Sequence, residues 1–385
     1  MIGGQIMDRI RAGVIGLGFI GEAHIEALRR LGNVDIVAIV DPTDPEGTAR
    51  KHHISKGYAS HQELIDEERP DIVHICTPNH THYEIAEYAL SRDVHVLCEK
   101  PMTATLEEAE KMVELARSRK LVAAVNYHNR FYPMVRHMKE VIAAGDIGRL
   151  FSIHGGYLQD WLLYDTDYNW RLVSSQSGRT RAISDIGSHW MDIAEYITGL
   201  KIIEVFADFS IFHKTRKKPS GPVLTFSKAD KEMEYTEIPI DTEDFASIIL
   251  RFENGVVGNA TISQTVAGKK NKISFFVSGS EKSLEWDLTD LSNVIVGYRN
   301  EPNQVITKDR MMIHPEAAKL VSYPGGHAEG FPDAFKQCFG QVYHSISNPD
   351  EPVEYATFED GYHQMLLAEK LYESARNGVW VKVQS

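Results

Sequence analysis

Several things are scarce in this chain, and each shortage excludes a class of protein. Three cysteines in 385 residues are too few for a disulfide framework, so we expect a reducing, cytoplasmic setting. Cys76 and Cys98 sit in or at the ends of apolar runs, and Cys338 lies in a helical pattern. There is no H-E-x-x-H and no C-x-x-C, so no metal site is expected. No G-x-S-x-G elbow supports acyl transfer. No apolar run approaches the length of a membrane span, and Met1 to Arg11 lacks the apolar core of a signal peptide. Cations are the minority: 41 Lys and Arg against 54 Asp and Glu, a net charge of −13. That balance disfavours nucleic acid or an acidic membrane as a partner. The one basic run, Lys214 to Lys218, is short and abuts Pro219, which reads as a solvated loop.

What is present is globular. Apolar content of 43% and charged content of 25% over 385 residues suggest two domains. From Ile10 to about residue 130, strand-like and helical patterns alternate six times, as in a doubly wound parallel sheet. We place this first domain at 8–130. Beyond Pro133 the style changes. Met134 to Ala144 reads as a helix with Gly145 at its end. Strand-like runs follow at Leu150 to Gly155, Ile202 to Phe212, Phe245 to Phe252, Val256 to Ser263, Ile273 to Ser278 and Ser283 to Trp286. Two helical patterns, about Ala328 to His344 and Thr357 to Asn377, close the chain. We read 131–385 as a C-terminal α/β domain with a large, open, mainly antiparallel sheet. Too few helices follow to cover both faces, so the open face is expected to pair with another copy. The last helix is a candidate to pack back on the first domain.

The organising stretch is Gly16-Leu17-Gly18-Phe19-Ile20-Gly21. This G-x-G-x-x-G follows the apolar run Ile10 to Ile15 and opens a helix, the context of a dinucleotide-binding turn. Gly16 allows the tight turn, Gly18 lets backbone approach a pyrophosphate, and Gly21 lets helix pack on strand. The free N–H groups and positive dipole end of the helix then face the diphosphate. A second apolar run, Val34 to Val40, ends at Asp41, twenty residues after Gly21. An acidic residue there accepts from the ribose hydroxyls and repels a 2′-phosphate, which favours NAD over NADP. An ordinary βαβ turn would need none of these three parts in register.

Ligands in such sheets bind beyond the carboxyl ends of the strands. Thr77 to His82, Glu99 to Pro101 and Asn126 to Arg130 all fall there. Lys100, between Glu99 and Pro101, is placed to point into the cleft; the plain alternative is a loop lysine paired with Glu99. The segment Ser184-Asp185-Ile186-Gly187-Ser188-His189 suggests a helix capped by Ser184, with Asp185 and His189 on one face at i and i+4. Such an Asp would fix the His tautomer and make His189 a general base; the alternative is a structural pair. Trp161, Trp170 and Arg171 either line the cleft or belong to the core.

Taken together, Gly16–Gly21, the Thr77-Pro78-Asn79-x-x-His82 turn, Glu99-Lys100-Pro101 and Asp185-x-Gly-x-His189 occur in the order found in the glucose–fructose oxidoreductase/inositol dehydrogenase/rhizopine catabolism (Gfo/Idh/MocA) superfamily. The chain resembles that superfamily over most of its length. The E-K-P triplet with D-x-G-x-H is more specific than the glycines. Gly325-Gly326-His327-Ala328-Glu329-Gly330 resembles its levoglucosan-type members. The resemblance implies an N-terminal Rossmann domain, a C-terminal sheet used to form homodimers or homotetramers, and NAD-dependent oxidation of a ring hydroxyl in a sugar, sugar derivative or cyclic polyol. It implies Lys100, Asp185 and His189 as the catalytic group. On this reading the cofactor set is Gly16, Gly18, Phe19, Ile20, Gly21, Asp41, Thr77, Pro78, Asn79, His82, Glu99, Lys100, Asn126, Trp170 and Arg171. The substrate set is Lys100, His128, Arg130, Asp185, His189 and His327. Two other classes fit the same motifs: an NAD-dependent glycosidase with no net redox change, and an NAD/sugar sensor without turnover. The three catalytic types kept together speak against the sensor.

Overall fold

The computed structural model describes residues 9–221 and 234–383. Most of the N-terminal stretch that lacks a leader-like core, residues 1–8, lies outside the described residues.

The first unit runs β1 (Ile10–Ile15), α1 (Phe19–Leu31), β2 (Val34–Val40), α2 (Pro45–Lys51), β3 (Gly57–Tyr58), α3 (His61–Glu68), β4 (Ile72–Ile75), α4 (His82–Ser91), β5 (His95–Cys98), α5 (Leu106–Arg119) and β6 (Ala123–Val125). These strands pair in parallel in the order 3-2-1-4-5-6, the doubly wound arrangement whose crevice opens between β1 and β4. Val14, Ile72, Val73, Val96 and Leu97 are fully buried, as parallel strands covered on both faces must be. Helices α3 and α5 begin with capping boxes, Ser60/Glu63 and Thr105/Glu108, which satisfy their first free N–H groups.

The second unit continues through α6 (Pro133–Ala143), β7 (Leu150–Leu158), the short α7 (Ser174–Ser177), α8 (Ser188–Thr198), β8 (Ile202–Ser210), β9 (Thr215–Pro219), β10 (Tyr235–Pro239), β11 (Phe245–Phe252), β12 (Val257–Ser263), β13 (Lys272–Gly279), β14 (Ser283–Asp287), β15 (Asn293–Gly297) and β16 (Gln304–Thr307). It ends with α9 (Pro315–Ala318), α10 (Phe331–Ser347), β17 (Ala356–Thr357), α11 (Phe358–Asn377) and β18 (Val381–Lys382). Nine strands form one sheet in the order 16-15-14-13-7-12-11-8-18. Among these described strands only the β7–β12 pair is parallel; the others are antiparallel.

The last helices return to the first unit. β17 adds an antiparallel edge strand beside β6, and Gly361 of α11 lies so close to Val125 and Met102 that a Cβ would sit 2.6 Å from Val125 Cγ2. β18 then pairs with β8 of the large sheet, so α11 is stapled to both units. α10 lies against α1, with Arg30 Nη2 bonded to Asp333 Oδ1 at 2.5 Å.

Three readings of the sequence need correction here. β7 does not stop at Gly155 but runs to Leu158. A Cβ at Gly155 would sit 1.9 Å from Ser274 O, and one at Gly156 2.3 Å from Thr261 O; these glycines let β13 and β12 close on the strand rather than end it. The basic run is not a solvated loop: Thr215–Pro219 pairs with β10, and Arg216 is buried against Asp244, which also holds Arg181. The penultimate helix starts at Phe331 rather than Ala328, because Glu329 is fully buried in an ion pair with Lys308.

Candidate active site

The glycine turn is the first wall. Gly16 has φ +92, a conformation that favours glycine, and a Cβ on it would sit 2.8 Å from Thr77 Cγ2. A Cβ on Gly21 would lie 2.0 Å from Gly16 O, so only glycine lets α1 meet the turn. At Gly18 a Cβ would meet nothing within 4 Å, and α1 has no side-chain cap. Uncapped donors therefore face open space at a helix N-terminus, which fits a diphosphate. At the end of β2, Asp41 accepts from Thr43 N (2.8 Å), Thr48 Oγ1 (2.7 Å) and Asp44 N (3.3 Å). Burial pushes its carboxyl up, but these hydrogen bonds outweigh burial and hold it below its usual value, and so ionised.

The second wall is built from side chains. Lys100 follows β5, and its peptide bond to Pro101 is cis. Its Nζ does not pair with the Glu99 side chain. It donates to Asp185 Oδ1 at 2.8 Å and Asp185 O at 2.9 Å. Asp185 Oδ2 accepts from Gln264 Nε2 at 2.7 Å, and Arg171 Nε lies 3.3 Å from Oδ1. Burial raises the Asp185 carboxyl, but Lys100 and Arg171 overcome it and bring it down to about 2.

This overturns the expected Asp185–His189 pair. Ile183–Gly187 is a π-helical turn, with Ser188 N–H bonded to Ile183 O, and such turns recur at functional sites. The wider turn breaks the i, i+4 stacking of an α-helix. Asp185 turns to Lys100, while His189 Nδ1 is buried without a partner. Nor does Ser184 cap a helix; its hydroxyl bonds Thr180 Oγ1 at 2.5 Å. The start of this helical segment is held by Glu243, whose carboxylate accepts from Arg181 N and Ile183 N, both at 2.9 Å. His189 stacks edge-on against Tyr127 and His128, with centroids 5.4 Å away in each case. Burial, then the Lys100 charge and the neighbouring His128, press its imidazole well below the usual histidine value, so it is neutral at pH 7.

The remaining assignments divide. Arg171 reaches Asp185 and lies over Trp170, 4.5 Å from the ring centroid, so both belong to the cleft. Trp161 instead bonds Gln159 Oε1 (2.8 Å) beside a small core of Leu162, Leu172 and Ile240. Thr77, Pro78 and Asn126 line the strand ends, and Asn126 Oδ1 is buried without a partner. Phe19 is exposed and stacked on Phe331, and Ile20 follows it in the first turn of α1. Three residues are held by protein groups. Asn79 donates to Ser177 O (3.1 Å). His82, fully buried, contacts Pro101 O (3.1 Å) and Thr77 O (2.8 Å). Arg130 is bound by Asp192, with Nη2 2.5 Å from Oδ1, and by Asp360, not presented to a substrate. His128 joins the site by its ring contact with His189. His327 is exposed, and its contacts are with Pro324 and Lys308. Gln264, Glu243 and His24 went unnoticed in the sequence. Gln264 and Glu243 are distant in the chain from the residues they hold, so only the fold reveals them. Among the described residues no group of three or more His, Cys, Asp or Glu is placed to hold a metal ion, and no helix is long and apolar enough to cross a membrane.

Comparison with known proteins decides the family. Residues 10–127 match the model for the "Oxidoreductase family, NAD-binding Rossmann fold", and residues 135–285 match the "GFO/IDH/MocA C-terminal domain". The chain belongs to the GFO/IDH/MocA oxidoreductase family. Similar relatives include the levoglucosan dehydrogenase of Pseudarthrobacter phenanthrenivorans, 28% identical over 98% of this chain and 99% of that one. The glucose-6-phosphate 3-dehydrogenase of Bacillus subtilis is 25% identical over 95% of this chain and 97% of that one. The myo-inositol 2-dehydrogenase of Thermotoga maritima is 28% identical over 70% and 73%. Among solved structures, levoglucosan dehydrogenase in its apo form superposes with a TM-score of 0.90 at 27% identity, covering 98% of this chain and all of that one. Its complex with NADH and levoglucosan gives 0.88 at 26% identity, with the same coverage. This family member thus has the NAD-binding Rossmann domain and the large, mainly antiparallel sheet on one frame.

Proposed function

We propose that the chain is an NAD-dependent dehydrogenase that oxidises a ring hydroxyl of a pyranose-like sugar, anhydrosugar or cyclic polyol. The observation that carries this is the Lys100–Asp185 bond beside a neutral, partly unpartnered His189, at the carboxyl edge of a sheet whose glycine turn fits a dinucleotide. The named activities of the levoglucosan, glucose-6-phosphate and inositol relatives support the substrate class. NAD supplies the hydride acceptor when bound. His189 takes the hydroxyl proton, and its depressed basicity keeps it ready to do so at neutral pH. Lys100 stabilises the developing oxyanion. Asp185, steadied by Gln264 and Arg171, aims the Lys100 ammonium rather than the His189 ring. An ionised Asp41 makes NAD the preferred cofactor over NADP.

The reading is tested by mixing the protein with NAD and a panel of anhydrosugars, aldoses and inositols. NADH should accumulate in step with sugar oxidised. Cleavage of a glycoside without net NADH would assign the glycosidase chemistry instead, and cofactor binding without turnover would assign a sensor.

We also infer a homo-oligomer through the open sheet. One register row crosses eight strands: Val305, Ile295, Glu285, Phe276, His154, Asn259, Ile249 and Phe206. Its Val305, Ile295, Phe276 and Ile249 are exposed, a broad apolar stripe for a single chain. Light scattering should give a dimer or tetramer at micromolar concentration, and Ile249→Glu with Phe276→Glu should yield monomers; a monomeric parent protein would refute the inference.

A further inference from the structure

Beneath the cleft lies a chain of hydrogen bonds that the chemistry above does not use. Glu99 Oε1 meets His24 Nε2 at 2.9 Å and accepts from Asn126 Nδ2 at 2.5 Å. His24 Nδ1 lies 2.8 Å from His74 Nδ1, and His74 Nε2 lies 2.9 Å from Tyr343 OH. The links come from α1, β4, β5 and α10. His24 and His74 are fully buried, and Tyr343 is 2% exposed. The chain therefore ends inside the protein and is no exit for the reaction's proton.

Proton counting fixes its direction. A carboxylate only accepts, so His24 Nε2 carries a hydrogen toward Glu99. The Nδ1···Nδ1 contact holds one proton. If His74 supplies it, His74 Nε2 accepts from Tyr343; if His24 supplies it, His24 is an imidazolium and His74 donates to Tyr343. In both arrangements His24 donates to Glu99.

The other groups around Glu99 are neutral or tied to the catalytic cleft. Burial pushes the thiols of Cys76, Cys98 and Cys338 and the Tyr343 phenol up. It pushes His74, His82 and His128 down. Lys100 touches Glu99 only through its backbone N–H, at 3.3 Å, while its ammonium is held by Asp185. Burial raises the Glu99 carboxyl, but His24, and after it the Lys100 charge and the Asn126 amide, overcome burial and bring it to about 2.

Glu99 follows the last residue of β5 and precedes Lys100. In a doubly wound sheet the half of the dinucleotide beyond the switch point lies over the β4–β5 side, opposite the ribose end marked by Asp41. A fixed carboxylate there favours a cationic nicotinamide ring over the neutral reduced one. We propose that His24, backed by His74 and Tyr343, is a positioning residue that holds Glu99 ionised and so biases the protein toward the oxidised cofactor.

The inference rests on NAD binding, and its test reads binding alone. Dissociation constants for NAD⁺ and for NADH are measured on the full chain, on His24→Phe, which keeps an aromatic ring against Phe335 and Phe339, and on Glu99→Gln. Each variant should move the NAD⁺/NADH affinity ratio toward NADH by about tenfold, the size expected of one charge several ångströms away. The double variant should move it no further than either single one. In His24→Phe the ratio should become pH-dependent as the unsupported carboxyl protonates; in Glu99→Gln it should not. A purely structural role would change both affinities by one factor and leave the ratio as it was, which overturns the proposal. Should His24→Phe fail to fold, Glu99→Gln decides: an unchanged ratio overturns it. A parent protein that binds neither form would overturn the cofactor assignment itself, a result distinct from an unchanged ratio.

Discussion

Two buried histidine pairs flank the cleft, and they differ in what they leave unmet. His24 and His74 use all four ring nitrogens, on Glu99, on each other and on Tyr343. His128 and His189 also touch ring to ring, yet Nδ1 of each is buried without a hydrogen-bond partner. A buried polar atom left unpaired costs about 1–3 kcal/mol. A satisfied pair is wiring that fixes charges and walls. On the proposed function, the unsatisfied pair beside Lys100 is where chemistry and ligand belong.

The comparison breaks most visibly in turnover. His189→Ala should lower turnover roughly 100- to 10,000-fold, the worth of a positioned base, while NAD affinity changes little. Lys100→Met should do likewise, because it acts on the same oxygen, and the double variant should be little worse than the poorer single one. Steady-state kinetics with cofactor titration separate the two parameters. Near-normal turnover in either variant would return it to a structural role.

Stability should show the reverse order. His24→Ala strands Glu99 and His74 in the interior and should cost about 3 kcal/mol. His189→Ala should cost less, since no hydrogen bond to Nδ1 is lost. Denaturant unfolding of the two variants side by side checks the ranking, and a larger loss at His189 would undo the contrast.

The pH profile sharpens it further. The proposed general base works as neutral imidazole, and burial, Lys100 and His128 hold His189 well below the usual 6.5. Its active form is lost as pH falls through that depressed value and is full above it. Turnover in the oxidation direction should therefore rise with pH only on the acid side of 6.5 and show no His189 ionisation between about pH 7 and 9. Lys100→Met removes a depressing charge, so the acid limb of its residual rate should move to higher pH. A limb that stays in place would deny the electrostatic coupling.

The smallest effect is expected at the far end of the cleft. Asp41→Ala removes an acceptor and a charge, and should weaken NAD by roughly fivefold to tenfold while relieving NADP. Isothermal titration with both cofactors checks it; equal preference in the parent protein would contradict the role of Asp41.

The parts of this account legible in the sequence are those that depend on neighbours in the chain. The glycine turn, the apolar strands and Asp41 are local patterns, and the fold followed from them. The place of Lys100 just past a strand is legible in the chain, but its bond to Asp185, 85 positions away, is not. The expected Asp185–His189 pair assumed α-helical spacing, and no residue pattern announced the π-turn at Ile183–Gly187. Gln264, Glu243 and the His24–His74 pair are joined across 50 or more positions to what they hold, so spacing carries no trace of them. Arg216 read as loop because its acidic partner, Asp244, lies 28 positions away.

The most direct test of the central claim is NADH formation by the parent protein and by Lys100→Met over the panel of anhydrosugars, aldoses and inositols. The account predicts that at least one ring polyol reduces NAD in step with its own oxidation, and that Lys100→Met loses this activity while still binding NAD. A panel on which the parent protein forms no NADH, or a Lys100→Met variant that forms it at the parent rate, would contradict it.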